Sequence, residues 1–406
     1  MSSQPTVILA FSGGLDTSFC VPYLIEKGYR VHTLYVGAGS QDEAASVEAR
    51  AMELGAAEHT SHDAGTELWD GFVVPFVMGG QRYQGRYPLL CSDRYAIAAK
   101  MVSLAHEVGA SAVAHGCTAM GNDQFRFDQS IRSLSSLAII GPIREIQTVT
   151  TEPRTYEIDY LERRGFGVDQ SAKQYTINEN LLGATISGSE IDRWEAPGPG
   201  TYRLTSPRSE WPTSPLALQI GFEQGVPVSI DGLPFNNGVK LLNELNTRLG
   251  PYGVGRGIYT GDTIVGLKGR IVFESPGLEG LLTAHKALEE LTLTRDQSRI
   301  KRDIATEWTG LVFGGFFYDP VRSDLESFLK SSQRNVTGEV TIQTHGGTCE
   351  PVLVYPENPF TDDSAVYAQH APWNAADAEG FIRIAGQGSA LGAAKVGTAR
   401  SIGVGT

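Results

Sequence analysis

Val7-Ile8-Leu9-Ala10-Phe11-Ser12-Gly13-Gly14-Leu15-Asp16-Thr17-Ser18 lies near the amino end of a 406-residue chain. Residues 7–11 are an apolar run of strand length, and residues 17–27 read as a helix. A glycine-rich turn between strand and helix aims several backbone N–H groups, and the positive helix end, at one point. Such a point favours an anion, and a diphosphate fits best. The Walker pattern Gly-x-x-x-x-Gly-Lys-Ser/Thr is missing, and Asp16 is an acid where that loop carries a lysine. A carboxylate beside phosphate is repulsive unless a divalent cation lies between them, so Asp16 implies Mg²⁺. A plain tight turn at Gly13-Gly14, with Ser12 or Asp16 capping the next helix, accounts for the glycines. It leaves the combination of acid and hydroxyls unexplained.

The pattern around this junction repeats. Strands are expected over 31–36, 111–115 and 137–140, and helices over 42–54 and 92–108, with Gly28, Gly55 and Gly109 just past helix ends. Strands alternating with helices imply a mostly parallel sheet covered on both faces. Ligands of such sheets sit at the carboxyl ends of the strands, where residues 12–18 fall. Composition shifts after residue 165. There, 216–222 and 226–231 read as a hairpin, 238–249, 278–291, 295–317 and 321–332 as helices. More strands are expected over 258–273, and 336–344 with 352–355 as an antiparallel pair. This mixed order argues for a separate α+β domain. Residues 196–200 read as an exposed loop, the last fifteen residues as a loose tail, and the stretch after Phe381 as lacking a convincing amphipathic helix for subunit exchange. The expected division is 1–165, 166–385 and 386–406.

At 41% hydrophobic residues and with 47 glycines, the chain can bury a large core in an α/β protein with many turns. A net charge of −13 argues against a nucleic-acid surface, which needs clustered cations. Cys20, Cys91, Cys117 and Cys349 are scattered and form no Cys-x-x-Cys pair, so zinc and a disulfide framework lack support. A reducing cytoplasm is the simplest reading. No signal-peptide pattern is read, and no run approaches the roughly 18–20 apolar residues of a membrane span. The expectation is a soluble cytoplasmic protein with neither nucleic acid nor membrane as partner.

A second strand–loop–helix junction reads His115-Gly116-Cys117-Thr118-Ala119-Met120-Gly121-Asn122-Asp123-Gln124-Phe125-Arg126-Phe127. Its side chains suit an amino-acid ligand. Thr118 and Asn122 can hydrogen-bond a carboxylate, and Asp123 can hold an ammonium group. Arg126 can grip a carboxylate with two prongs or stabilise charge on a ureido oxygen. A capped helix with a wet polar face is the plainer explanation. Four polar groups of distinct valence at one helix start argue against it.

Residues 12–18 resemble the pyrophosphate loop of the ATP pyrophosphatases, which cut ATP to AMP and pyrophosphate. Residues 8–11 narrow the resemblance to the argininosuccinate synthase family, as does the similarity of the second junction to Gly-x-Thr-Gly-Lys-Gly-Asn-Asp-Gln-x-Arg-Phe. It runs from Val7 to Phe381. The resemblance implies an adenine nucleotide alpha hydrolase-like domain with a parallel sheet, then an α+β synthetase domain that also carries oligomerisation. It implies ATP contacts at Ala10, Phe11, Ser12, Gly13, Gly14, Leu15, Asp16, Thr17, Ser18, Val36 and Gly116, with Mg²⁺ on Asp16. It implies aspartate contacts at Thr118, Asn122 and Asp123, and citrulline contacts at Asn122 and Arg126. Asp16, Asp123 and Arg126 form the expected catalytic set, in a homotetramer.

Tyr87 and Ser92 match the family's Tyr-x-x-x-x-Ser pair, which implies citrulline contacts. Thr176, within Tyr175-Thr176-Ile177-Asn178-Glu179-Asn180-Leu181, and Thr185 stand where the family usually has serines; each keeps the hydroxyl. Gly253-Val254-Gly255-Arg256 and Gly266-Leu267-Lys268-Gly269-Arg270 also match. Several positions depart: Ala119 replaces Gly, Met120 replaces Lys, and Phe273 replaces Tyr. Gly261 falls where the family carries a citrulline-binding glutamate, with Asp262 beside it as a substitute. Burying an unpaired ammonium is costly, so the lost glutamate matters.

The reaction implied is ATP-dependent condensation of citrulline with aspartate through citrullyl-AMP, giving argininosuccinate, AMP and pyrophosphate. The alternatives are another ligase of the same ATP group, including one acting on an Nα-acylated citrulline, and a non-catalytic nucleotide-binding protein.

Overall fold

A computed structural model describes residues 4–38, 41–168, 175–198, 200–362, 364–367 and 369–396. They divide into two compact units, one through Asn358 and one from Pro359 onward. The first unit opens with β1 (Thr6–Ala10), α1 (Leu15–Glu26), β2 (Arg30–Gly37), α2 (Gln41–Glu53) and β3 (Glu58–Asp63). Two short helices, α3 (Gly65–Leu68) and α4 (Val74–Gly79), follow, joined by a π-helical turn at Trp69–Val73. Then come α5 (Asp93–Val108), β4 (Ala112–Ala114), α6 (Asn122–Leu134), β5 (Ala138–Ile140), α7 (Pro142–Ile146) and α8 (Pro153–Glu162).

The five strands form one parallel sheet in the order β3-β2-β1-β4-β5. Val7, Ile8 and Leu9 of β1 are fully buried, as a central strand covered on both faces requires. Phe19 and Leu24 of α1, Val47 of α2 and Leu161 of α8 cover one face. Ala98, Met101 and Leu104 of α5 and Phe127 and Ile131 of α6 cover the other. The expected strands and helices of this region form close to their anticipated bounds. Not anticipated were β3, the helical run 65–79, α7 and α8. β3 reads Glu-His-Thr-Ser-His-Asp and pairs only with β2, so an edge position lets polar side chains occupy a strand. Strand order reverses between β1 and β4, which places a ligand crevice at their carboxyl ends.

The rest of the unit is mixed, as its sequence implied. It holds β6 (Thr176–Asn180), β7 (Gly183–Ser187), α9 (Ser189–Asp192), β8 (Ala217–Glu223), β9 (Val226–Ile230), β10 (Leu233–Pro234) and α10 (Gly238–Leu249). After these come β11 (Arg256–Asp262), β12 (Lys268–Glu274), α11 (Pro276–Thr292), α12 (Arg295–Gly314), α13 (Val321–Ser332), β13 (Gly338–His345) and β14 (Thr348–Pro356). Two antiparallel sheets result, ordered β10-β9-β8-β13-β14 and β11-β12-β7-β6. In the loop expected over 196–200, Pro199 lies outside the described residues.

The second unit is helical where it enters the expected tail. A 22-residue helix, α14 (Ala375–Val396), runs into it, and only 397–406 lie outside the described residues. Its alanines favour helix whatever the side-chain pattern. Phe381, Ile384 and Leu391 also recur at helical spacing, 73%, 72% and 55% exposed. Ile382, 68% exposed on the other side, means that α14 presents apolar residues on more than one face.

Candidate active site

β1 and β4 are parallel neighbours, so the turns that follow them leave the sheet side by side. After β1 the chain enters α1 with Gly14 as N-cap, extended at φ −68° and ψ 173°. Gly13 sits at φ +76°, a region that side chains rarely adopt. No side chain caps this helix, and its first-turn N–H groups lack intrahelical acceptors. Local hydroxyls hold the turn instead. Ser18 Oγ donates to the Gly13 carbonyl at 3.2 Å, Thr17 Oγ1 to the Gly14 carbonyl at 3.3 Å, and Ser12 N–H to Thr17 Oγ1 at 3.4 Å. Ala10 and Phe11 are buried, Leu15 and Val36 half-buried, and Ser12 and Gly14 exposed. The result is an open cradle of donors for an anion.

Asp16, in the first turn of α1, is half-buried and meets Glu157 of α8. The Glu157 side chain is buried and within hydrogen-bond reach of Asp16, yet its Oε2 has no hydrogen-bond partner. Burial first, and the Asp16 charge second, push the Glu157 carboxyl well above the usual carboxylate range. Sequence reading missed this residue, since nothing local marks an acid on a distant helix.

The second turn packs directly on the first. A Cβ built at Gly116 would stand 3.2 Å from Thr17 Cγ2 and 3.3 Å from the Asp16 carbonyl carbon. Beneath it, Cys117 N–H donates to His115 Nδ1 at 3.2 Å, which leaves Nε2 to donate to Asp128 Oδ1 at 2.8 Å. Arg144 grips the same carboxylate through both Nη atoms, at 3.0 and 3.3 Å. Burial alone would raise the Asp128 pKa, but His115 and Arg144 outweigh it and hold the carboxyl down to about 2. His115, Asp128 and Arg144 were also missed, and they fix the backbone of this turn.

At the start of α6 the expected ligand-binding side chains are already engaged. Asp123 Oδ1 accepts from Arg126 Nη1 at 2.7 Å and Oδ2 from Arg94 Nε at 3.0 Å. Burial opposes ionisation of Asp123, yet the Arg94 and Arg126 guanidiniums hold its carboxyl down to about 2. Arg126 is buried and donates Nε and Nη2 to the Phe313 carbonyl at 3.1 and 2.9 Å. Asn122 Oδ1 accepts from Ile264 N–H at 2.8 Å, in the turn between β11 and β12. Thr118 is half-buried, and Met120, where the family has lysine, is exposed.

The remaining expected positions divide into buried and exposed sets. Tyr87 is buried among Tyr259, Phe273 and Phe313, with ring centroids 5.7 to 6.0 Å away. Ser92, also buried, donates Oγ to the Leu89 carbonyl at 2.7 Å instead of capping α5. Thr176 is exposed and accepts from Arg154 Nη1 at 3.3 Å, while Thr185 Oγ1 donates to the Asn178 carbonyl at 3.5 Å. Asp262 is paired with Lys268 and accepts from Gln84 Nε2 at 2.6 Å.

Comparison with known proteins bears on the whole chain. Residues 6–167 match the arginosuccinate synthase N-terminal HUP domain, and residues 175–391 the arginosuccinate synthase C-terminal domain. The argininosuccinate synthase of Xanthomonas axonopodis pv. citri is 54% identical over 96% of this chain and 95% of its own length. That of Xylella fastidiosa is 54% identical over 96% and 97%, and that of Bacillus subtilis 39% identical over 86% of each. The chain belongs to the argininosuccinate synthase family.

Gly261 is the position where a citrulline-binding glutamate is expected and is missing. A Cβ at Gly261 would lie 2.4 Å from the Tyr259 hydroxyl and 2.5 Å from Gln84 Oε1. Those two groups hydrogen-bond each other at 2.9 Å, and the Tyr259 hydroxyl also lies 3.0 Å from the Asp262 carbonyl. The space that a side chain at 261 would use is therefore filled by a neutral pair. Asp262, the expected substitute, already has its charge matched by Lys268.

Proposed function

We propose that this chain is an ATP-dependent carbon–nitrogen ligase of arginine biosynthesis. It condenses citrulline with aspartate through citrullyl-AMP and yields argininosuccinate, AMP and pyrophosphate. The observation that carries the reading is the meeting of two strand–loop–helix turns at the switch point of the parallel sheet, with Gly116 against Asp16 and Thr17. The N–H groups at the start of α1 and the hydroxyls of Ser12, Thr17 and Ser18 would receive the leaving diphosphate. Adenylation of this kind needs positioning and charge neutralisation more than a protein nucleophile. In keeping with that, burial pushes the Cys20 and Cys117 thiols up and keeps them neutral.

Mg²⁺ suits the residues present. Asp16 has a second buried carboxylate beside it, and both are hard oxygen donors. Among the described residues no cluster of three His, Cys, Asp or Glu side chains could hold a metal ion alone. That fits a cation shared with phosphate oxygens and water. When bound, it supplies charge neutralisation at the leaving group. Asp123 uses two of its roughly four acceptor positions on Arg94 and Arg126, so it can still take an ammonium group and orient an aspartate amine. Arg126 then acts by holding Asp123, and Thr118 and Asn122 lie on the same strand–loop–helix junction.

A second reading concerns the other substrate. Gly261 is backed by a neutral pair, and Asp262, the acid beside it, is matched by Lys268, so neither offers a free carboxylate to an α-ammonium group. An Nα-acylated citrulline would need none. We assign residues 1–165 to nucleotide binding and 166–385 to substrate binding and oligomerisation, with α14 crossing the boundary to 386–406. The exposed apolar residues of α14 support a homotetramer. No helix among the described residues is long and apolar enough to cross a membrane, and four free cysteines suit a cytoplasmic protein.

The test is release of AMP and pyrophosphate from ATP, requiring aspartate with either citrulline or its Nα-acetyl form, by a preparation whose native mass is that of four chains. Production of ADP and phosphate would overturn the ligase reading. Turnover of citrulline alone, with no use of the acetylated form, would remove the second reading.

A further inference from the structure

Glu157 is the buried acid that the mechanism above leaves without a task. It lies on α8, which packs along α1, and its side chain is 2% exposed. Its carboxyl reaches Asp16, and its Oε2 accepts no hydrogen bond. One turn earlier on the same helix, the Nε of Arg154 is buried and equally without a partner. Buried polar groups are nearly always satisfied, so each orphan calls for an explanation. The buried thiol of Cys20 lies close by and offers only a weak donor.

Two carboxyl groups in contact at the mouth of a glycine loop repel each other unless a cation or a proton lies between them. We propose that Glu157 is the second protein carboxylate of the divalent-cation site, binding with Asp16 the metal that accompanies the nucleotide diphosphate. This rests on the ligase reading above. Asp16 on α1 and Glu157 on α8 then hold one ion from two helices, and the remaining positions go to phosphate oxygens and water. Arg154, three residues before Glu157, limits the negative charge that this arrangement concentrates.

Glutamine at 157 separates the two roles a buried acid could play here. An amide donates to Asp16 as well as a protonated acid does, so a mere hydrogen-bonding role survives Glu157→Gln. A ligand role does not. The experiment uses the full chain with ATP and no amino-acid substrate, and follows Mn²⁺ as the probe through the electron paramagnetic resonance signal of the free ion. Glu157→Gln is expected to weaken Mn²⁺ binding at least tenfold while leaving the metal-free thermal midpoint unchanged or higher. Glu157→Asp, which keeps the charge but shortens the reach, is expected to fall between. Asp159→Asn, exposed on the same helix, should match the parent. Mn²⁺ affinity within twofold of the parent for both Glu157 variants overturns the proposal. Pyrophosphate release by the parent is scored separately. A competent ligase with unchanged Mn²⁺ binding in Glu157→Gln refutes this inference alone, whereas a parent that makes ADP refutes the ligase reading.

Discussion

The two turns of the site are built in opposite ways. In the first, Ser12, Gly13, Gly14, Thr17 and Ser18 bond chiefly one another, and one long contact, from Arg50 Nε to Ser18 Oγ at 3.5 Å, comes from outside. In the second, Cys117 leans on His115, Asp128 and Arg144, Ala119 N–H on Gln147, Asn122 on Ile264, and Arg126 on Phe313. A local turn keeps its shape through residues a few positions apart. A supported turn keeps its shape only if distant elements are in place. The difference teaches that the first turn is cheap to perturb structurally, while the second is part of the framework.

Arg126→Ala should break this contrast hardest. It strips Asp123 of one guanidinium and the Phe313 carbonyl of both donors, in a buried setting. Removing one partner of a buried ion pair costs about 3–5 kcal/mol, so the urea midpoint should fall accordingly. A loss under about 1 kcal/mol would mean that the second turn does not depend on its remote supports.

Acid should find the next weakest point. Asp128 has its pKa lowered from 3.8 to about 2. A lowered folded-state value contributes stability above pH 3.8, and that contribution fades as pH falls through about 2. The shift corresponds to about 2 kcal/mol. Asp128→Asn should thus be less stable than the parent by about that much at neutral pH, with the gap closing below pH 3.8 in chemical-denaturation curves. A gap that stays constant down to pH 2 would show that packing, not charge, holds His115.

The smallest effect belongs to the first turn. Thr17→Val preserves shape and removes three long hydroxyl contacts, to the Gly14 carbonyl and to the Ser12 N–H and Oγ. It should cost about 0.5–1 kcal/mol of stability, with ATP affinity falling more than stability does. A larger stability loss would place the first turn in the framework too.

The same contrast explains what sequence alone made legible. β1, its turn and α1 were readable because their causes are local: an apolar run, two glycines, then helix formers. The antiparallel second region was readable from turn residues and alternation. β3 escaped because an edge strand tolerates His59 and Ser61, which interrupt the apolar pattern. α14 escaped because small residues hid the spacing of Phe381, Ile384 and Leu391. In the site, residues 12–18 and the junction starting at His115 were both visible as junctions. The support of the second was not, since Asp128, Arg144 and Phe313 converge only through folding. Glu157 and Gln84 carry no local signal either.

Gly116 has one more consequence. With no side chain of its own, it lets the two turns touch at backbone distance, like covers hinged on a common spine. Grafting a methyl onto residue 116 would put it 3.2 Å from Thr17 Cγ2 and 3.3 Å from the Asp16 carbonyl carbon, so the binding would have to part by a few tenths of an ångström.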